Sequence, residues 1–164
     1  MKTKSLICFL FLLAIIPSFS AFGQKDVFSG EWKLNREKAV YAENQPFLAA
    51  ITIKLKSDSV LINRVYENGN GEQFPFDENM SLDGNETKIV IYDMPRASKA
   101  TRSKTDGSIT IESKTTFNGN NGPDDMTAKE TWKVDAEGKT LSIEFVNKMS
   151  GTETPGTNTY TKVK

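Results

Sequence analysis

Short turn signals recur along the chain, and they limit its fold more than any other feature of the sequence. Asn-Gly and Asp-Gly pairs begin at residues 68, 70, 83, 106, 118 and 121, and further breaks stand at Ser57-Asp58, Met94-Pro95, Glu137-Gly138 and Ser150-Gly151. Such pairs between alternating segments are a strong short-range signal of a β-hairpin. Because no helical periodicity appears between these turns, the pattern predicts antiparallel strands joined in sequence order.

The segments between the turns alternate between apolar and polar residues. Along 109–117, Ile109, Ile111 and Phe117 share one face, and Glu112 and Lys114 share the other. A period of two indicates strands with one buried face. Strands are predicted near 30–35, 49–56, 60–67, 72–76, 79–82, 87–93, 96–104, 108–117, 126–135, 140–148 and 157–163. We therefore predict an all-β fold, an antiparallel up-and-down meander closed into an 8–10-stranded barrel, because closure removes exposed edges. The connection at 36–46 is long enough for a helical turn across the barrel mouth.

Residues 1–23 have the three parts of a secretory signal peptide. Lys2 and Lys4 form a basic start, Leu6–Ile16 is an apolar run of eleven residues, and Ala21 and Gly23 are small residues before a cleavage point. This run suits a signal peptide and is shorter than the ~20 residues that a membrane-spanning helix needs. The sequence predicts removal of 1–23, a single domain over 24–164 that does not insert into a membrane, and a periplasmic or secreted location.

The chain contains no histidine, and its one cysteine, Cys8, lies in the predicted signal. These counts exclude a Ser-His-Asp triad, a Cys-His pair and a histidine haem ligand, and they leave the domain without a disulfide. Residues 24–164 carry 19 basic and 21 acidic side chains, so charge predicts no nucleic-acid partner. The pairs Asp77-Glu78 and Asp124-Asp125 are interpreted as turn and strand-end residues. Neighbours in a strand point to opposite faces, which argues against a shared catalytic site, and no EF-hand spacing surrounds either pair. No metal site or cofactor is predicted.

Two motifs carry a resemblance to a known family. Gly30–Asn35, which reads Gly-Glu-Trp-Lys-Leu-Asn, resembles the Gly-x-Trp opening strand of lipocalins. Glu130–Leu141 resembles a hairpin of secreted bacterial lipocalin-like domains of the calycin superfamily that have no assigned function. The resemblance implies a lipocalin-like barrel closed at one end, with Trp32 packed over the base. In lipocalins an arginine of the closing strand covers this tryptophan, and here Lys162 stands near that place. The number of strands also suits the related fatty-acid-binding barrel.

The candidate ligand-binding residues are aromatic and charged side chains predicted to face the barrel interior: Trp32, Arg64, Tyr66, Arg102, Glu130, Trp132 and Tyr160. An arginine exposed in a cavity can hold a ligand carboxylate through two hydrogen bonds. An inward Glu130 needs a cationic partner, because an unpaired buried charge is strongly unfavourable. The alternative for these residues is structural: an ion pair for the charged groups and core packing for the two tryptophans.

Three functions are compatible with these observations. The favoured hypothesis is an exported barrel that binds a small, mostly apolar molecule in its interior. The second is a protein-interaction module or inhibitor of the cell envelope without a ligand, which would contact its partner through 36–46 and Asn118–Asp125. The third is an isomerase-type enzyme acting through Glu130 and a neighbouring Tyr or Arg. Of the three it is the least favoured, and we expect the protein not to be an enzyme.

Overall fold

The computed structural model describes residues 26–39, 46–119 and 122–163. These residues form ten strands: β1 Gly30–Leu34, β2 Phe47–Leu55, β3 Ser59–Glu67, β4 Gln73–Ser81, β5 Asp83–Ile91, β6 Met94–Arg102, β7 Ile109–Gly119, β8 Gly122–Val134, β9 Thr140–Met149 and β10 Thr152–Lys162. The predicted signal peptide and most of the 36–46 connection lie outside the described residues. Within the described ranges, no helix has the length and apolar character needed to cross a membrane.

All ten strands belong to one antiparallel sheet in the order β4-β3-β2-β1-β10-β9-β8-β7-β6-β5. The first and last strands of the chain pair with each other through Leu34 and Tyr160, so the sheet curls into a barrel. Among the described residues no backbone ladder joins β4 to β5, and side chains bridge this slit instead. The Tyr92 hydroxyl donates to the Pro75 carbonyl at 2.8 Å. The predicted all-β, up-and-down barrel is confirmed, as a nearly closed barrel of ten strands.

Two predicted strand boundaries differ from the structure, one at Asp77-Glu78 and one before residue 157. The predicted strands 72–76 and 79–82 are one strand, β4, which runs through Pro75. The last strand begins at Thr152 rather than at 157 and includes Pro155 and Gly156. Both prolines lie where one side of their strand is unpaired: β4 is an edge strand, and β10 pairs with β1 only from Tyr160 onward. A proline that lacks an N–H is tolerated at such positions.

The segment Asn118–Asp125, predicted to be a contact loop, is instead the end of a long hairpin. Asn118 pairs with Pro123 and Gly119 pairs with Gly122, so only 120–121, which lie outside the described residues, separate β7 from β8. This correction removes one of the two contact elements that the second hypothesis named.

The barrel has two unlike ends. We call "base" the end with the β2–β3, β4–β5, β6–β7 and β8–β9 turns, and "mouth" the opposite end. The apolar core lies in the base half and is built from inward side chains of almost every strand, among them Trp32, Ile53, Val60, Ile62, Met80, Ala100, Ile109, Ile111, Trp132, Leu141 and Ile143. This packing seals the base.

Candidate binding site inside the barrel

Four charged side chains meet inside the barrel directly above the apolar core. They are Arg64 on β3, Glu78 on β4, Arg96 on β6 and Glu130 on β8, and all four are buried. They come from separate strands, and each lies on the inward parity of its strand, which is why closure of the sheet brings them together. We call this cluster the floor, because it divides the sealed base half from the mouth half.

Arg64 is the centre of the floor. Its Nη1 and Nη2 donate to the two oxygens of Glu130 at 3.1 and 2.9 Å, and its Nε donates to Glu78 at 3.0 Å. The guanidinium also lies over the Trp132 ring, with 5.1 Å from Cζ to the ring centroid. Arg64 has no exposed surface, so its hydrogen-bonding groups are directed into the protein.

Glu78 connects the two arginines across the slit between β4 and β5. It accepts from Arg64 on one side, and Arg96 Nε donates to it at 2.7 Å on the other. Ser98 adds a hydroxyl donor at 2.7 Å. Arg96 Nη1 donates onward to Thr115 at 3.0 Å. The floor therefore links β3 and β4 to β6, β7 and β8 where no backbone ladder does so.

Electrostatics keep the floor charged. Burial by itself would raise the pKa of Glu78, but Arg64 and Arg96 outweigh it and hold that pKa below its ordinary value of 4.5. Burial would likewise lower the pKa of Arg64, whereas the Glu130 and Glu78 carboxylates raise it above its ordinary value. Opposite charges at hydrogen-bonding distance favour the ionised forms. Glu78 and Arg64 are accordingly held in their ionised forms.

The mouth half differs from the base half in the exposure of its inward side chains. On β9, Leu141 and Ile143 are buried, Phe145 and Asn147 are partly exposed, and Met149 is 42 % exposed. A similar gradient occurs among the larger inward side chains of other strands. Those above the floor that are partly exposed are Tyr66, Phe74, Phe76, Met94, Phe117, Met126 and Asn158, whereas the small side chains Ser113, Thr115 and Ala128 are buried. Solvent therefore reaches the interior above the floor.

Gly156 shapes one wall of the mouth half. It pairs with Phe145 on the neighbouring strand, and a Cβ built at Gly156 would overlap the Phe145 ring. The ring consequently packs against the backbone of β10 at Gly156, in space that any larger residue at this position would occupy. Opposite it, Tyr66 and Phe76 stack with ring centroids 6.0 Å apart. Burial raises the pKa of Tyr66 above its ordinary value of 10.0, which keeps its hydroxyl protonated.

The structure distributes the seven predicted site residues over three levels. Trp32 and Tyr160 lie in the base core, where the indole N–H donates to Phe28 and the tyrosine hydroxyl donates to Leu48. Arg64, Glu130 and Trp132 meet in the floor, and the Trp132 indole N–H donates to Glu130 at 2.7 Å. Tyr66 lies above the floor.

Arg102 stands apart from the other candidates. It lies at the base end of β6, is partly exposed, and its buried Nε has no hydrogen-bond partner among the described residues. Lys162 occupies the place that the resemblance implied, since its Nζ lies 5.0 Å from the centroid of the Trp32 ring.

Sequence reasoning missed Glu78 and did not select Arg96. Glu78 was interpreted as a turn or strand-end residue, yet it lies inside β4 and is 1 % exposed. The alternation Phe74, Phe76, Glu78, Met80 was the available signal, because it places Glu78 on the inward face. Asp77, its neighbour, is exposed on the opposite face.

Two shallow depressions also mark the outer wall of the barrel. One is lined by residues of β8, β9 and β10, including Lys129 and Val146, and the other by residues of β5, β6 and β7, including Lys88 and Val90. Both are built mainly from outward side chains, and they are therefore not part of the interior site. Within the described ranges, no group of three or more acidic or cysteine side chains is placed to hold a metal ion.

Comparison of the chain with protein-family models, with curated proteins and with solved structures found no match. The geometry by itself supports a statement about the fold. The described residues form an all-strand, nearly closed barrel of ten antiparallel strands, which is compatible with a lipocalin-like fold.

Proposed function

We propose that this protein is an exported, lipocalin-like barrel of the calycin type that binds a small, mostly apolar molecule in its mouth half. One observation carries the proposal: the inward aromatic and methionine side chains above the floor remain partly accessible to solvent, whereas the apolar core side chains below it are buried. A barrel whose only task was stability would gain from burying these aromatic and methionine side chains as well. A small molecule bound in the mouth half would cover this exposed apolar surface.

The chemistry of the accessible surface favours an apolar occupant. Phe117, Met126 and Phe145 line the interior wall beside Phe76, and each is partly exposed. Ligand sites combine such apolar walls with a few polar groups that fix orientation. The polar groups near this wall include Asn147.

The hydrogen bonds of Glu130 support a binding role over a catalytic one. Both of its oxygens accept from Arg64, and one also accepts from Trp132. A general base needs an oxygen within reach of the substrate proton, and these contacts direct both oxygens into the protein. We therefore propose binding without chemical transformation.

Export is part of the proposal and rests on the sequence. The basic start, apolar run and small residues of 1–23 are those of a signal peptide. We propose that the protein acts in the periplasm or outside the cell.

Native mass spectrometry of the protein purified from the envelope fraction of its producing cells tests this function. We expect a complex carrying one small molecule. Asn147→Phe, which fills the mouth interior, should abolish the complex, and Val146→Phe, on the outward face of the same strand, should leave it intact. The function is contradicted if no small molecule accompanies the protein and if none of a diverse set of apolar compounds shifts the indole N–H resonance of Trp132.

A further inference from the structure

The floor is balanced in charge, and this balance constrains the ligand. It contains two arginines, Arg64 and Arg96, and two glutamates, Glu78 and Glu130, joined by ion pairs of 2.7 to 3.0 Å. The cluster as a whole presents no net charge to the space above it. This inference rests on the proposed function, because it concerns the ligand of the same site.

Neither arginine has its charge available for a ligand. Arg64 is fully buried and donates to Glu78 and Glu130. Arg96 lies nearer the mouth but is only 7 % exposed, and it donates to Glu78 and Thr115. The Phe76 ring covers the Arg96 guanidinium at 5.8 Å. A ligand carboxylate would have to displace Glu78 from Arg96 and leave that glutamate short of a partner.

The remaining inward groups above the floor add no positive charge. Ser113, Thr115 and Asn147 are uncharged, and Asp124, which pairs with Phe117 at the rim, is acidic. The sequence at 40–45 contains one acidic residue and no basic residue, and 120–121 are both asparagine. Wherever these segments lie, they supply no cation to the mouth.

We infer that the site selects uncharged amphipathic molecules, such as alcohols and amides, and discriminates against carboxylates of the same shape. An anion taken from water into this interior loses hydration and meets no free positive charge, which makes its transfer unfavourable. An uncharged head group loses less hydration, and the amide of Asn147 can hydrogen-bond with it. The apolar body of the ligand packs against the aromatic wall in either case. Charge of the head group is therefore the property on which the site discriminates.

Matched pairs of compounds test this selectivity by calorimetric titration of the full-length mature protein at neutral pH. The pairs are naphthaleneacetamide with naphthaleneacetate, and decanol with decanoate. We expect each uncharged member to bind at least about tenfold more tightly than its anion. Equal or tighter binding of the anions overturns the inference while leaving the proposed function intact. If neither member of either pair binds, the inference fails, whereas the proposed function fails only if, in addition, no small molecule accompanies the purified protein.

A charge introduced above the floor separates electrostatics from shape. Asn147→Lys places an ammonium inside the mouth half, and Val146→Lys places one on the outer wall of the same strand. We expect Asn147→Lys to shift the preference toward the anions by about tenfold or more and Val146→Lys to leave it unchanged. Melting curves establish that both variants fold. An unchanged preference in a folded Asn147→Lys variant contradicts a selectivity based on charge.

Discussion

The two halves of this barrel are built by the same strands with the same alternation, but their inward side chains differ in solvent exposure. Below the floor, Leu141 and Ile143 are sealed in an apolar core; above it, Phe145 and Asn147 on the same strand remain in contact with solvent. The base half has the packing expected of a folded core. The mouth half leaves apolar surface unburied, which is common where a protein binds a ligand. We thus assign binding to the mouth half of the strands and stability to their base half.

The floor is where these two roles meet. A buried ion pair need not stabilise a fold relative to a well-packed apolar cluster, but removal of one partner is strongly destabilising because it leaves an uncompensated charge. The floor also spans the slit between β4 and β5 through Glu78 and Arg96. We interpret it as the structural boundary that holds the mouth half open above a sealed base.

The largest expected effect comes from breaking the floor. Arg64→Met removes the partner shared by Glu78 and Glu130, and we expect the free energy of unfolding to fall by about 3–5 kcal/mol. Lys114→Met is the matched control, because it removes an exposed ion pair with Asp125 and should cost less than about 1 kcal/mol. Urea unfolding measures both. Losses of similar size would contradict the special role assigned to the floor.

Truncations at the two ends of β9 compare the halves directly. Leu141→Ala removes a fully buried side chain in the base, and Met149→Ala removes an inward side chain at the rim that is 42 % exposed. We expect the first to lower the free energy of unfolding by about 2–4 kcal/mol and the second by less than about 1 kcal/mol. If the two truncations destabilise equally, the mouth half is packed like the base.

Acid should weaken the floor before it affects the apolar base. Because the pKa of Glu78 lies below its ordinary value of 4.5 in the folded protein, its ionisation contributes stability that is complete above that value and is lost as pH falls through the folded pKa. We expect the free energy of unfolding to decline below about pH 4.5. Glu78→Gln should be less stable at neutral pH and should show a shallower acid decline, and an identical pH profile in this variant would contradict the assignment.

The smallest expected effect concerns the slit at the mouth. Tyr92→Phe removes the hydroxyl that bridges to Pro75, and we expect a loss of about 0.5–1.5 kcal/mol. Hydrogen exchange should accelerate in β4 and β5 and remain unchanged in β1 and β10. Uniform acceleration throughout the barrel would show that Tyr92 does not act locally.

The fold was predictable because the alternation of apolar and polar residues and the positions of the turn residues both indicate it. Alternation defined the strand faces and turn residues defined their order, so the meander followed. The full lengths of β4 and β10 were not predictable in this way. The acidic pair Asp77-Glu78 suggested an interruption of β4, and the tolerance of Pro155 in β10 depends on whether a neighbouring strand pairs at that position.

The site was predictable only in part. Arg64 and Glu130 could be placed inside from parity, and the structure joins them in the ion pair considered as the structural alternative. Glu78 was missed because the pair Asp77-Glu78 was interpreted as turn and strand-end residues, although the parity of Glu78 pointed inward. The gradient in exposure could not be derived from the sequence at all, because Phe145 and Ile143 have the same alternation and differ only in their height inside the barrel.

Reactivity of single cysteines along the inward face of β9 tests the central claim most directly. The only natural cysteine is Cys8, so in a chain with Cys8→Ser each introduced thiol reports alone. The variants are Leu141→Cys, Ile143→Cys, Phe145→Cys and Asn147→Cys, with the outward Val146→Cys as the accessible control. We predict that a water-soluble alkylating reagent modifies the first two only at the rate of unfolding, and the last two at a rate near that of the control. Equal protection of all four inward thiols would show a barrel packed to its rim and would contradict the account.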